Sequence, residues 1–371
     1  MSLAELKQKN AAELANLKEH GQRVVGMFCT YSPRELIIAA DAIAVSLCAN
    51  DESPISVAEK ELPRNLCPLI KASYGYSVNG NCPYMRASDL IVGETTCDGK
   101  KKMYELMKNQ RDVYVMELPN MTNEKSLELW VSEMHRFKEA LEKKFNTTIT
   151  DEKLKDAVIL QNKERELMLE IMDLAKLDPS PITGSEMHDI LFSNDFIFDK
   201  KEKFKVLEEM LSEFKEKANS PFNQNKNKKR ILITGCPSGG VADKIIKEIE
   251  KFDAIVVGFE NCVGRKNFEY MVETDGDLYE NLAKRYLKIP CSVMYRNETR
   301  CDNLKRLISE FKADGVIDIT LSACHTYAIE STTIKQTCKD AGAGFLHIET
   351  DYSKQDTGQV RTRLEAFIEL L

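Results

Sequence analysis

The sequence predicts an α/β protein built from two doubly wound parallel sheets joined by a helical segment. Three observations carry that expectation. The chain has 371 residues, more than one core usually organises, so two units are expected. Short apolar runs alternate with helix-periodic stretches at both ends, the pattern of strands joined by crossover helices. Between those ends lies a long charged segment with helical periodicity alone.

Residues 23–28 (RVVGMF) form the first apolar run, short and continuous as a buried parallel strand should be. Ser32, Pro33, Arg34 and Glu35 follow; this order predicts a capping box opening a helix that ends near residue 42. Strands are expected at 43–47, 89–93 and 113–118, with a helix over 100–109. From 123 to about 218 the chain is helix-periodic, broken at Pro179, Pro181 and Gly184. Residues 219–230 (NSPFNQNKNKKR) have linker composition. The second unit is expected to carry strands at 231–234, 254–258, 315–320 and 344–348, helices at 241–251, 302–312 and 329–340, and a closing helix at 360–371. The expected division is thus 1–122, 123–218, 219–230 and 231–371.

A net charge of -7 gives no general support for nucleic-acid binding. The Lys226–Arg230 run reads as a solvated linker. The first twenty or so residues read as an exposed polar helix. The apolar stretch 36–49 is too short to span a bilayer and contains Asp41. No membrane partner and a cytoplasmic location are expected.

Eleven cysteines are the anomaly. A large cytoplasmic chain has no need of disulfide staples, and a free cysteine is ordinarily a small buried hydrophobe. Position argues otherwise for several. Ligands in open α/β sheets gather beyond the carboxyl ends of the strands. Cys29, Cys97, Cys236, Cys262 and Cys324 each fall just past a predicted strand. The sequence has no C-x₂-C pair, which argues against zinc ribbons, thioredoxin-like redox pairs and ferredoxin runs. Thiolates from separate loops suit an iron–sulfur cluster, with helix N-termini offsetting their charge. Residues 235–240 (GCPSGG) read as a tight turn shaping that pocket rather than a phosphate cradle, since they lack the P-loop Lys-Ser/Thr pair. Of five histidines, His325 alone adjoins a candidate ligand and is a candidate proton donor; His20 and His135 read as solvated.

The stretches FCTYSPREL (28–36), NLCPLIKASYG (65–75) and GETTCDGKKKMYEL (93–106) resemble the 2-hydroxyacyl-CoA dehydratase and benzoyl-CoA reductase superfamily. The likeness continues through RYLKIPC (285–291), ACHTY (323–327) and GQVRTRLEAFIE (358–369), nearly the whole chain in order. The resemblance implies two flavodoxin-like domains with a cluster in the cleft between them. It implies that Cys67, Cys97 and Cys324 hold a 4Fe–4S cluster with one open iron, reduced by a separate homodimeric ATPase carrying its own 4Fe–4S cluster. Cys82 in CPYMRASDL, Cys236 in TGCP, Cys262 in ENCVGRK and the phrase CHTYAIES resemble the double-cubane branch. In that branch six cysteines of one chain hold two cubanes, 8Fe–9S, within a homodimer. By that likeness Cys82, Cys236 and Cys262 complete the set, with Cys29 in reserve. Cys48 reads as packing, and Cys291, Cys301 and Cys338 as structural.

The expected function is ATP-dependent, low-potential reduction of a small molecule, with ATP hydrolysed by a partner because no P-loop appears here. Two alternatives stand beside it: a 2-hydroxyacyl-CoA dehydratase subunit with a single 4Fe–4S cluster, and an iron–sulfur electron carrier without its own substrate. For a CoA ligand, the 100–102 lysine run is the candidate phosphate partner, and it reads as a solvated helical turn.

Overall fold

The computed structural model describes residues 3–220 and 225–371. Eight strands form two four-stranded, all-parallel sheets. The first contains β1 (Arg23–Met27), β2 (Ala42–Ser46), β3 (Leu90–Glu94) and β4 (Val113–Met116), ordered β2-β1-β3-β4. The second contains β5 (Lys229–Gly235), β6 (Ala254–Phe259), β7 (Gly315–Leu321) and β8 (Gly344–Thr350), ordered β6-β5-β7-β8. The two sheets repeat one winding. In each, the first strand lies between the second and third, so the chain reverses direction across the sheet there. The strands β3, β6 and β7 are buried along their whole length, as strands covered on both faces must be.

Every expected strand is present within about two residues. The helical middle resolves into Glu124–Phe145, Asp151–Asp173, Gly184–Ser193 and Lys200–Ala218. Asn123, Thr150, Thr183 and Asp199 cap these four helices through their side chains.

This segment braces both sheets. Arg165 of the second helix pairs with buried Glu35, which also accepts from the Tyr286 hydroxyl at 2.8 Å. Asp195 accepts from Arg34 and Ser46. Glu250 accepts from the Gly184 and Ser185 amides. Direct bonds also join the two halves: Tyr31 donates to the Ile289 carbonyl at 2.7 Å, and Tyr352 to that of Ala49 at 3.0 Å.

Several local expectations are corrected. Ser32 does not cap the helix Arg34–Ala39; its hydroxyl donates to Glu94, and Glu35 turns inward to Arg165. A buried acceptor and a buried cation outcompete the local motif. The linker 219–230 includes residues 221–224, outside the described set, and its end is already strand β5. Arg230 is buried, its guanidinium donating to the carbonyls of Ala175, Leu177 and Phe311. The first helix (Leu3–Glu19) is not wholly exposed: Asn10 and Leu14 are buried where it packs on Pro83–Ala87 and Gly184–Ser193. Among the described residues no helix is long and apolar enough to cross a membrane.

Candidate metal centre

The carboxyl edges of both sheets open onto one cleft of about 530 Å³. Cysteines follow the strands with regularity. Cys29 stands two residues past β1, Cys48 two past β2 and Cys97 three past β3. Cys236 immediately follows β5, Cys262 is three past β6 and Cys324 three past β7. All six line the cleft, joined there by Cys67, Cys82 and Cys291. All eleven cysteines are free thiols. Cys301 and Cys338 lie elsewhere, Cys338 buried in the small core under β7.

Local structure explains how thiols are aimed inward. Cys67, Cys82, Cys97 and Cys324 are the N-cap residues of helices Pro68–Asn79, Pro83–Ala87, Asp98–Met107 and His325–Asp340. An N-cap side chain sits at the positive end of its helix, which offsets negative charge placed there. The Cys82 sulfur accepts from the Met85 amide at 3.5 Å. The last of these helices starts at His325, four residues earlier than expected, and this makes Cys324 a cap. Ala323 before it takes a left-handed conformation (φ 59°). Gly235 before Cys236 does so too (φ 101°), and a Cβ there would meet the Ile319 carbonyl at 2.1 Å. The expectation of a tight turn at 235–240 agrees with this.

The thiols fall into groups. Cys324 is held well below the ordinary thiol range because Cys236 and Cys67 donate to its sulfur; both donors are pushed up in turn, Cys67 by Cys324 and burial, Cys236 by burial and Cys324. The backbone amide of Leu321 also donates to Cys236 at 3.4 Å. On the other side, the sulfurs of Cys262 and Cys291 lie 4.0 and 3.8 Å from the Tyr327 hydroxyl. Burial and the neighbouring Cys291 push Cys262 up to about 11. Burial raises Cys29 well above the usual range, while Lys100 opposes that shift.

Lys100 corrects another expectation. It points inward from the helix start, donates to the Phe28 carbonyl at 2.8 Å and lines the cleft. Lys101 and Lys102 do face solvent, paired with Asp98 and Glu105. Behind Lys100, Glu94 is fully buried; burial pushes its carboxyl up to about 7 although Ser32 donates to it. His325 is exposed at the rim. His20 and His135 are exposed as expected, His135 stacked on Tyr279.

A set of thiols is a soft donor set, suited to iron–sulfur clusters and other thiophilic metals. Among the described residues no group of three or more His, Cys, Asp or Glu side chains is placed to hold a single metal ion. The sulfurs are distributed around a cavity instead, as a polynuclear group requires. The residues fit such a group. Sequence reasoning passed over Cys48 and Cys291 on these walls. Cys48 obeys the same strand-edge rule as the rest, whereas Cys291 follows a helix (Leu278–Leu287) and gave no such signal.

The comparisons with known proteins agree with this architecture. Residues 29–371 match the model of the family described as 2-hydroxyglutaryl-CoA dehydratase, D-component. YjiM of Escherichia coli (strain K12), a dehydratase subunit by provisional naming, is 43% identical over 99% of this chain and 96% of its own. The (R)-phenyllactyl-CoA dehydratase beta subunit of Clostridium sporogenes is 25% identical over 96% of this chain and 94% of its own. One of the benzoyl-CoA reductase subunits of Thauera aromatica is 20% identical over 86% and 83% respectively. Two sheets of one winding, a cleft walled with thiols and a match over nearly the whole length lead to one conclusion: the chain belongs to the 2-hydroxyglutaryl-CoA dehydratase D-component family of enzymes.

Proposed function

We propose that this chain binds a double-cubane 8Fe–9S cluster in the cleft and reduces a small molecule there, with electrons from a separate ATP-hydrolysing 4Fe–4S protein. The observation that carries the reading is the convergence of nine free thiols on one cavity between the sheets. Three thiolates suffice for one cubane with an open iron, so nine exceed the need of a single unit. Cys67, Cys97 and Cys324 would hold the first cubane, and Cys82, Cys236 and Cys262 the second, with Cys29 in reserve. When bound, such a cluster supplies single electrons at low potential.

The chain's own residues do the rest. The Tyr31 and Tyr352 bonds tie the two halves of the chain together. His325, exposed at the rim, is positioned to hand a proton to a substrate entering the mouth. The volume suits a small ligand. The active species is a homodimer, with no nucleic-acid or membrane partner, and works in the cytoplasm.

A second reading is favoured by the names of the relatives: a dehydratase subunit acting on an acyl-CoA thioester through one 4Fe–4S cluster. Reconstitution separates the two. The cluster-loaded chain, mixed anaerobically with its ATPase partner, ATP and excess dithionite as the electron donor, should reduce small acceptors such as acetylene and leave 2-hydroxyacyl-CoA thioesters untouched. Dehydration of a thioester, or turnover driven by ATP without the partner, would contradict the proposal. Light scattering should give twice the 42.2 kDa chain mass; a stable monomer would remove the homodimer.

A further inference from the structure

We infer that Cys291 is a sulfur ligand of the cleft, paired with Cys262, and that the Tyr327 hydroxyl, whose single proton has either sulfur within reach, is their positioning residue. The inference rests on the iron–sulfur reading above and revises its second set of three: two cubanes take six thiolates, so Cys291 enters that set beside Cys262 in place of Cys82, and Tyr327 holds the two ligands together.

Cys291 does not behave as a packing cysteine. Its side chain lines the cleft, and its backbone is pinned on both sides. The Asn297 side-chain amide donates to the Cys291 carbonyl at 2.9 Å, and the Cys291 amide donates to the Ile289 carbonyl at 3.0 Å. That same Ile289 carbonyl accepts the Tyr31 hydroxyl from the other sheet. A loop tied this firmly presents its thiol at one place, as a ligand must be presented.

The chemistry around Tyr327 gives the direction of the hydrogen bonds. Lys266 donates its ammonium to the phenol oxygen at 3.4 Å, so that oxygen is an acceptor on this side. Its own proton has the sulfurs of Cys262 and Cys291 within reach, 4.0 and 3.8 Å away. Those two distances put the sulfurs no more than about 8 Å apart, separated by one hydroxyl, a span that two thiolates on one metal group can share.

A phenol that donates to sulfur is of use where the sulfur is a thiolate, and the surroundings of this one are demanding to maintain. Lys266, Arg300 and Glu260 are buried behind it at 1–2% exposure. Lys266 and Arg300 stand over the ring, 5.4 and 5.0 Å from its centroid. Glu260 pairs with Lys266 at 3.0 Å and Arg300 at 3.4 Å, and accepts from Thr234 at 2.6 Å. Packing alone does not call for buried cations aimed at the base of a tyrosine. Hydrogen bonds to ligand sulfurs raise the reduction potential of a cluster by easing its extra negative charge.

The test compares Cys291→Ala, Cys291→Ser, Tyr327→Phe and Cys338→Ala with the parent, each loaded anaerobically. Iron content, the visible and electron paramagnetic resonance spectra and the midpoint potential are read, and thermal melting checks the fold. Both Cys291 variants should fall to about half the parent's iron, while Cys338→Ala, which removes a buried thiol outside the cleft, keeps all of it. Tyr327→Phe should keep the iron and shift the midpoint to lower potential. Full iron and a parental spectrum in a folded Cys291 variant would overturn the ligand, and an unmoved midpoint in Tyr327→Phe would overturn the positioning role. A parent that binds no iron at all would instead sink the cluster reading, and this inference with it.

Discussion

Cys67 and Cys236, from the two halves of the chain, both reach Cys324, whereas Cys262 and Cys291 share the Tyr327 hydroxyl. The first group stabilises its own anion. Cys324 caps a sixteen-residue helix and accepts from two thiols, so one thiolate forms with little strain on the fold. The second group is organised by charges buried behind it, and these also hold β5, β6 and the helix Glu298–Glu310 in place through Glu260, Thr234 and Arg300. On the proposed reading, loss of a ligand and loss of the fold should be separable on one wall of the cleft and coupled on the other.

The largest effect is expected at the centre of the first group. Cys324→Ala removes the sulfur on which two others converge, and bound iron should fall by about half or more with the melting temperature of the iron-free chain unchanged. A large drop in that melting temperature would break the comparison. On the opposite wall Lys266→Met strips a partner from the buried Glu260 carboxylate, leaving Arg300 and Thr234. Stability of the iron-free chain should fall by about 3 kcal/mol, read by urea unfolding. A change within error would show that the charges do not hold this wall.

Glu94 sharpens the same contrast through pH. Its carboxyl moves from 4.5 to about 7 on folding because it is buried. Folding therefore favours its protonated form, so its contribution is fully present below about pH 4.5 and is lost as pH rises through about 7. At 1.36 kcal/mol per unit that contribution is about 3 kcal/mol. Glu94→Gln in the iron-free chain should flatten the fall in stability between pH 5 and 7 by that order; an unchanged pH profile would argue against a neutral Glu94. The smallest effect belongs to Cys338→Ala, whose lost packing should cost about 1 kcal/mol.

Much of the fold was legible because both sheets are covered on their two faces. Continuous apolar runs such as RVVGM and AIVVGF admit little besides parallel strands, and their ends place cysteines at the sheet edge. What escaped the sequence depends on distant partners. Nothing local to Ser32 or Glu35 announces that they will turn to Glu94 and Arg165, far along the chain. Arg230 looked solvated because its three carbonyl acceptors come from two other segments. Lys100 shares a run with Lys101 and Lys102, which pair with Asp98 and Glu105 on the outer side, and only the helix phase separates it from them. Cys291 carried no strand-edge signal, and the tyrosine that connects it to Cys262 is 36 residues further on.

The proposed cluster is a pair of cubanes in a cleft walled by thiols from both halves of the chain. The most direct measurement is iron and acid-labile sulfide per chain after anaerobic purification. About eight irons with a comparable amount of sulfide are expected. About four irons would support the single-cubane dehydratase reading and contradict two cubanes, and an iron-free chain that cannot be loaded would contradict the cluster altogether.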